Sequence, residues 1–159
     1  MYNVHERVYV ADETACRIGD YETAVVHACK SPCHQRAVGY RGNLPKTHPN
    51  YLYLRKDNDL YLNVIDPPIP LFPDDLFATF FSFAREILDS GRKLVIHCNK
   101  GESRAPSFSL LLLAKHLNVI SNESYDSARK DFLRIFPDYI PGKGIEKYLT
   151  ENWKKLDSF

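Results

Sequence analysis

The residues with the clearest chemical potential are Cys98 and Arg104, which are separated by five residues in this 159-residue sequence. Cys98 follows a short apolar, β-branched run at 93–97, which is typical of a strand buried on both faces. Arg104 precedes a run at 108–117 that is apolar almost all round, which favours a central helix. Because Pro106 is tolerated only in the first turn of a helix, this helix is predicted to begin near Ser103 or Arg104.

The loop between the predicted strand and helix, residues 99–103, is expected to bind an anion. Its backbone N–H groups face a helix N-terminus, and Gly101 allows the backbone to curl closely around a ligand. These amides, the helix dipole and Arg104 all favour the thiolate form of Cys98. The planar guanidinium of Arg104 could hold two phosphoryl oxygens during in-line transfer. The predicted chemistry is attack of a thiolate on phosphorus, and it requires no metal.

This stretch resembles the H-C-x2-G-x-S-R loop of the cysteine-dependent protein tyrosine phosphatase superfamily, in its small dual-specificity branch. The resemblance covers about residues 60 to 135 well and the N-terminal 55 residues poorly. It implies that Cys98 is the nucleophile and that His97 orders the loop and tunes the thiolate. The implied phosphate-binding residues are Asn99, Lys100, Gly101, Glu102, Ser103 and Arg104.

One position departs from that pattern. Ser or Thr usually follows the arginine in the dual-specificity branch, where its hydroxyl donates to the departing cysteine sulfur during hydrolysis of the phosphoenzyme. Here the residue is Ala105, and Ser103 and Ser107 lie nearby in sequence. The second chemical step, and full catalytic speed, are therefore left open by the sequence.

Asp66 is the predicted general acid, which a phosphoester needs for its leaving oxygen. It ends a predicted strand at 60–65, and the prolines that follow hold it on a stiff, extended loop. In the dual-specificity branch the acid lies at a strand end, about one helix and one strand ahead of the cysteine, and Asp66 matches that place. Asp74 and Asp75 are alternatives, although acids in the first turn of a helix are better explained by the helix dipole.

The remaining pattern predicts an α/β fold with a central, mostly parallel sheet of about four to five strands flanked by helices, in a single domain at 1–159. The ligand site of such a sheet lies at the carboxyl ends of its strands, where Cys98 is expected. A proline- and glycine-rich segment at 31–50 is predicted to be a long irregular loop. The predicted strands are 7–10, 23–28, 51–54, 60–65 and 93–97, and the predicted helices follow Pro73, Ser103, Asn122 and Gly144.

Composition narrows the classes of partner. Hydrophobic residues make up 44% and charged residues 26% of the chain, which is ordinary for a soluble globular protein. The net charge of +1 gives no argument for a nucleic-acid or membrane partner. No leader and no apolar run near membrane-spanning length is recognised, so a cytoplasmic location is expected. A thiolate catalyst also needs a reducing compartment, and the four cysteines do not resemble a disulfide framework.

Two further features were weighed. His27, Cys29, Cys33 and His34 form an H-x-C-x3-C-H pattern that zinc could use, but its spacing matches no common zinc motif. Ordinary buried thiols are favoured there, with a disulfide from Cys29 or Cys33 that protects oxidised Cys98 as another option. The stretch 23–56 contains no acidic residue and six Lys or Arg residues, which indicates either a basic rim for an anionic substrate or solvated loop charge.

The sequence therefore predicts a cofactor-free phosphatase that acts on phosphorylated protein, with phosphotyrosine as the leading class of target. Cys98 would form a cysteinyl-phosphate, and Asp66 would act first as acid and then as base. One alternative is a phosphate-binding module without turnover, suggested by Ala105. Another is a phosphatase of RNA 5′ ends or other non-protein phosphates, suggested by the basic stretch. Glu102 argues against phosphoinositides, whereas Lys100 argues weakly for them.

Overall fold

The computed structural model describes residues 1–159 and contains one six-stranded sheet. Its strands are β1 (Tyr2–His5), β2 (Val8–Ala11), β3 (Thr23–His27), β4 (Tyr53–Lys56), β5 (Asp59–Leu62) and β6 (Lys93–His97). They lie in the order β1-β2-β6-β3-β5-β4. The four middle strands are parallel, and an antiparallel hairpin closes each edge. The predicted mostly parallel α/β sheet is confirmed, with more strands than the four to five expected.

The extra strand is β1, which the sequence pattern did not reveal. Only Val4 of its four residues is buried, so the strand lacks the apolar run or alternation that marks a half-buried strand. It forms because a hairpin with β2 gives its backbone hydrogen-bonding partners. The predicted hairpin between β4 and β5 is confirmed, with Asp57 at φ +54° in its turn.

Side chains of the four long helices pack together on one face of the sheet, and a short 3-10 helix packs on the other face. The α-helices are α1 (Gln35–Val38), α2 (Asp74–Asp89), α3 (Arg104–Lys115), α4 (Tyr125–Ile135) and α5 (Lys143–Asn152). Short 3-10 helices occupy Glu13–Arg17 and Lys155–Ser158, and a π-helical turn occupies Lys30–His34. No helix combines the length and hydrophobicity needed to span a bilayer.

The core forms around β6 and α3, as their apolar sequences predicted. Leu94, Val95 and Ile96 are at most 1% exposed, which is expected for a strand with parallel neighbours on both sides. Leu94 and Ile96 share a core with side chains of α2 and α3, whereas Val95 packs with Ala15 of the 3-10 helix. Every residue of α3 from Ala105 to Ala114 is buried. Phe108 of α3 stacks on Phe77 of α2 at a centroid distance of 5.3 Å. The strand and helix on either side of the 99–103 loop are therefore both held rigidly.

The segment 31–50, predicted to be an irregular loop, is partly helical. The π-helical turn Lys30–His34 leads directly into α1, which ends at Gly39 with φ +92°. Buried His34 fixes this segment, since its ring nitrogens hydrogen-bond Tyr40 Oη at 2.8 Å and the Asn50 carbonyl at 2.9 Å. Contacts of this kind leave no periodic pattern in the sequence. The many prolines and glycines of the segment therefore led to the prediction of a loop.

Candidate active site

The loop from Cys98 to Arg104 lies at the carboxyl end of β6, near the middle of the sheet. Arg104 is the first residue of α3, as predicted. Gly101 has φ +72°, and a Cβ atom there would come within 3.0 Å of the Ala11 carbonyl oxygen at the end of β2. Only glycine meets both conditions without strain, which allows the loop to turn back tightly over the neighbouring strand.

The loop amides have no acceptor within the protein backbone. The Cys98 N–H donates to the Ala11 carbonyl at 3.3 Å, but none of the N–H groups of Asn99 to Ser103 donates to a backbone carbonyl. Cys98 itself is 2% exposed. A run of free donors between a buried thiol and a helix N-terminus can bind a tetrahedral oxyanion.

Arg104 is held by three hydrogen bonds that leave part of its guanidinium free. Nη1 donates to the carbonyls of Ala28 at 3.1 Å and Val64 at 3.0 Å, and Nη2 donates to Asn99 Oδ1 at 2.8 Å. Nε is buried and has no hydrogen-bonding partner. Of the five N–H donors of arginine, the Nε–H and one Nη2–H therefore remain. Nε and Nη2 are neighbouring nitrogens of the planar guanidinium, so an oxyanion could accept from both of them.

Asn99 joins the loop to segments from two other strands. Its carbonyl accepts a hydrogen bond from the Glu13 N–H at 3.2 Å, and its Nδ2 donates to the Ser31 carbonyl at 2.9 Å. Glu13 follows β2 and Ser31 follows β3. The predicted role of Asn99 was phosphate binding through its amide, and the structure adds this bracing role for its side chain.

Asp66 lies on the exposed segment after β5. The loop from Cys98 to Arg104 is called the predicted phosphate loop below. The Asp66 carboxylate packs so closely on Gly142 that a Cβ atom there would clash with it. The Gly142 N–H in turn donates to Ser103 Oγ at 2.8 Å, and the Ile140 N–H donates to the Glu102 carbonyl at 2.9 Å. The segment 140–142 thus connects the predicted acid to the predicted phosphate loop. This segment was not among the predicted site residues, although its P-G-K-G pattern is compatible with a close backbone approach.

The alternative acids lie at the start of α2. Asp74 accepts a hydrogen bond from Tyr148 Oη at 2.6 Å and pairs with Lys155. Hydrogen bonds from Lys155 and then Tyr148 lower the pKa of Asp74. Asp74 therefore has structural partners of its own at the helix N-terminus.

His97 is fully buried directly before the nucleophile candidate. Its Nδ1–H donates to the Cys98 carbonyl at 3.4 Å, and its Nε2 lies 2.7 Å from His27 Nδ1. Burial, followed by the neighbouring His27, lowers the pKa of His97 to about 4. The ring is therefore neutral at pH 7, which suits the predicted role of ordering the loop.

The two serines near Ala105 have different surroundings. Ser107 Oγ hydrogen-bonds Tyr139 Oη at 2.9 Å in the interior, and Tyr139 Oη also bonds Tyr125 Oη at 3.0 Å. Ser103 Oγ accepts the Gly142 N–H, which leaves its own hydrogen available. The Ser103 hydroxyl therefore keeps a hydrogen to donate, whereas the Ser107 hydroxyl is engaged with Tyr139.

Large apolar side chains are exposed around the acid and the phosphate loop. They are Ile65 (56% exposed), Ile69 (50%), Leu71 (72%) and Ile140 (64%). Beside them is a groove of about 680 Å³, whose lining includes Ile65, Leu71, Lys30 and Lys46. Two lysines of the basic stretch at 23–56 therefore line the groove that Ile65 borders, although no residue of the loop from Cys98 to Arg104 lines it. Arg55 of the same stretch pairs with Glu86.

The cysteines differ from the expectation of no disulfide framework, with Cys29 and Cys33 as ordinary buried thiols. Cys16 and Cys33 are disulfide-bonded, whereas Cys29 and Cys98 are free and buried. The pairing arises because the segments after β2 and β3 meet at the carboxyl ends of the parallel strands. The spacing of the two cysteines in the sequence does not show this. Since Cys33 is already paired, it is not a partner for Cys98 in this structure. Burial raises the pKa of Cys29 to about 11.

Comparisons by sequence find neither a protein-family model nor a curated protein that matches the chain. Comparison with solved structures finds several of similar fold. Human tyrosine phosphatase-like serine/threonine/tyrosine-interacting protein has 14% identity and a TM-score of 0.67, covering 96% of this chain and 95% of its own. Human DUSP28 has 16% identity and a TM-score of 0.62, covering 97% and 93%. PTPMT1 in complex with PI(5)P has 15% identity and a TM-score of 0.64, covering 99% and 96%.

These structures match nearly the full length of the chain at low sequence identity. The likeness extends to the N-terminal 55 residues, which the sequence resemblance covered poorly. The chain therefore has the fold of the small, dual-specificity-like branch of the cysteine-dependent tyrosine phosphatases.

Proposed function

We propose that the protein is a phosphomonoester hydrolase that acts through a cysteinyl-phosphate on phosphorylated proteins. The observation that carries this proposal is the unpartnered, buried Nε of Arg104, on the same loop as the free amides next to Cys98. A buried donor without a partner is costly, and a phosphoryl group would accept from Nε, from Nη2 and from the loop amides together. The position of the loop also supports the proposal, because ligand sites of parallel sheets lie at the carboxyl ends of the strands.

In the proposed reaction, the Cys98 thiolate attacks phosphorus while Asp66 gives its proton to the leaving oxygen. Arg104 and the N–H groups of residues 99–104 stabilise the charge on the phosphoryl oxygens. Water then attacks the cysteinyl-phosphate, Asp66 removes a proton from that water, and the cysteine leaves as thiolate. The exposed apolar residues around Asp66 support a protein substrate, since a polypeptide beside the phosphorylated residue would cover them.

A second candidate is hydrolysis of a non-protein phosphate, such as an RNA 5′ end or a phosphoinositide. Lys30 and Lys46 line the groove beside Ile65, and both would attract a polyanionic substrate. A panel of phosphotyrosine peptides, 5′-phosphorylated RNA and phosphoinositide vesicles, compared by kcat/KM, separates the candidates. A preference for peptides supports the first proposal, and a preference for either of the others replaces it.

The catalytic proposal is tested with p-nitrophenyl phosphate. Cys98→Ser should lower turnover by more than about 10³-fold, because it removes the nucleophile, yet should still bind phosphate. Cys29→Ala is the matched control, since Cys29 is also a free, buried cysteine but lies outside the loop. Phosphate binding without turnover by the wild-type protein would instead support a binding module, as Ala105 suggested.

A further inference from the structure

A second cluster of functional side chains lies behind the phosphate loop. It consists of Cys16, His27, Cys33 and His97, whose potential ligand atoms all lie within 4.8 Å of one another. Three of the four residues are buried, and Cys16 is partly exposed. They come from four separate elements, namely the 3-10 helix after β2, the end of β3, the π-helical turn and the end of β6. The site proposed above uses none of their side chains for chemistry.

In each of the two histidine rings, the nitrogen that faces away from the other ring (the outer nitrogen) has a hydrogen-bonding partner that orients the ring. His27 Nε2 lies 3.2 Å from Asp59 Oδ2, and His97 Nδ1 lies 3.4 Å from the Cys98 carbonyl oxygen. Because a carboxylate and a carbonyl only accept hydrogen bonds, these outer nitrogens carry the hydrogens of the neutral rings. The inner nitrogens, His27 Nδ1 and His97 Nε2, then direct two lone pairs at each other across 2.7 Å. A cation beside both nitrogens would relieve this repulsion.

The sulfur atoms complete a four-ligand set. Cys33 Sγ lies 3.8 Å from His97 Nε2, and Cys16 is bonded to Cys33. Reduction by a dithiol would convert this disulfide into two thiols, with two electrons and two protons supplied by the reductant, which becomes a disulfide. Binding of a divalent cation would then release the two thiol protons and leave two thiolate ligands.

The types of the four ligands indicate which cation would bind. Two thiolates and two imidazoles suit Zn²⁺, which prefers four such ligands in a tetrahedron. We propose that, in the reduced protein, Cys16, His27, Cys33 and His97 bind a structural zinc ion behind the phosphate loop. Four protein ligands leave no open coordination position, so this ion would take no part in phosphoryl transfer.

The surroundings of His27 are those of an oriented metal ligand. Asp59 Oδ1 also accepts the Val25 N–H at 3.0 Å, which fixes the carboxylate that contacts His27. The Tyr61 ring stacks on His27 at a centroid distance of 4.1 Å. A carboxylate behind a histidine ligand sets its tautomer and raises its basicity.

The zinc ion would stabilise the geometry of the phosphate loop. Glu13 and Ser31, the two residues that brace Asn99, lie close in sequence to Cys16 and Cys33. His97 directly precedes Cys98 in the sequence. One ion would therefore link the segments after β2 and β3 to the end of β6, and each of these segments contacts the loop.

The first test uses the full chain, reduced with a dithiol and freed of the reductant without oxygen. Titration with Zn²⁺ should load about one ion per chain, measured by elemental mass spectrometry. Titration with Co²⁺ should give the absorption spectrum of a tetrahedral site with thiolate ligands, a readout that does not depend on activity. A fully reduced, folded chain that binds neither ion would overturn the proposal and would mean that the two rings share a proton. Resistance of the Cys16–Cys33 disulfide to reduction would also overturn it.

Variants then test the identity of the ligands. Cys16→Ala should abolish the cobalt spectrum, whereas Cys29→Ala, which removes a buried cysteine outside the set, should retain it. Asp59→Asn keeps an oxygen for the Val25 N–H but weakens support for His27, so metal affinity should fall by roughly 10- to 100-fold. An unchanged cobalt spectrum in folded Cys16→Ala would reject the ligand set.

Discussion

At the scale of single residues, Arg104 is the side chain whose bonding is least complete. Three of its hydrogen bonds fix the guanidinium between the ends of β3 and β5, while buried Nε has no acceptor. The same carbonyls hold the guanidinium in place before a ligand binds, which reduces the conformational entropy that an oxyanion would have to offset. A lysine could supply the charge at this position, but not the two-pronged contact.

Asp66→Asn tests the general acid. We expect kcat to fall by about 10²-fold or more, because the leaving oxygen no longer receives a proton. The loss should be greater for phenyl phosphate than for p-nitrophenyl phosphate, whose leaving group needs protonation less. Asp74→Asn is the matched control, and it should lower stability through Tyr148 and Lys155 while kcat stays near that of the wild type. Equal rates for Asp66→Asn and the wild type would remove Asp66 from the mechanism.

Ala105→Ser tests the departure from the dual-specificity pattern. Ala105 is fully buried at the start of α3, so an added hydroxyl would need an acceptor inside the site. If the Cys98 sulfur provides that acceptor, hydrolysis of the phosphoenzyme should accelerate and the pre-steady-state burst should shrink. Rapid-mixing kinetics with p-nitrophenyl phosphate would measure both. A burst identical to that of the wild type would mean that position 105 does not limit the second step.

At the scale of elements, the acid-bearing segment is positioned by the start of α5. Gly142 contacts the Asp66 carboxylate, and Gly144 contacts the carbonyl oxygens of Pro67 and Ile69. Both glycines allow two backbone segments to approach more closely than any side chain would permit. The prolines stiffen the acid loop, but its distance from the phosphate loop is set by this packing.

Gly144→Ala separates helix propensity from packing. Alanine favours a helix by about 1 kcal/mol over glycine, so propensity alone would stabilise the protein. The added Cβ would clash with two carbonyl oxygens, and we expect a net destabilisation of about 1–3 kcal/mol in urea unfolding. We also expect a lower kcat with unchanged inhibition by phosphate, because the acid moves and the phosphate loop does not.

The control for this variant is Gly39→Ala. Position 39 has no neighbouring atom within 4 Å of an added Cβ, but its φ is +92°. Strain there should lower stability without any change in kcat. A stabilised Gly144→Ala protein with normal kcat would show that the acid loop does not depend on this contact.

At the scale of the whole molecule, the candidate functional groups lie at the carboxyl ends of the parallel strands. The carboxyl ends of β2, β6, β3 and β5 lie side by side, and each is followed by the predicted phosphate loop, by a segment that contacts it, or by the predicted acid. The same end of the sheet buries His27 and His97, which are not solvated. The stability of the fold should therefore depend on the protonation of His97.

Acid should destabilise the reduced, metal-free protein through His97. Burial holds the pKa of His97 near 4 in the folded state, below its ordinary value of 6.5, so the unfolded state binds the proton more readily. The contribution to stability is complete above pH 6.5 and is lost as the pH falls towards 4, by up to about 3 kcal/mol. Urea unfolding at pH 7 and at pH 4.5 would measure this, and His97→Gln should have a shallower pH dependence. An equal slope in both proteins would contradict the prediction.

The strand, loop and helix around Cys98 and Arg104 were predictable from the amino-acid sequence alone, as was the mostly parallel sheet. These features depend on neighbours in sequence, namely an apolar β-branched run, Gly101, Pro106 and a helix apolar on all sides. Asp66 was also identified from the sequence, by its place after a strand and before prolines. Its catalytic role stays a prediction.

Only the tertiary structure decided which distant groups meet. The acceptors of Arg104, the contact between Asp66 and Gly142, the pairing of Cys16 with Cys33 and the proximity of His27 to His97 all join segments far apart in the chain. The sequence pattern at 27–34 suggested Cys29 and His34 as metal ligands, whereas the folded cluster replaces them with Cys16 and His97. The physical reason is that strand order and register set these distances, and neither is encoded in local spacing.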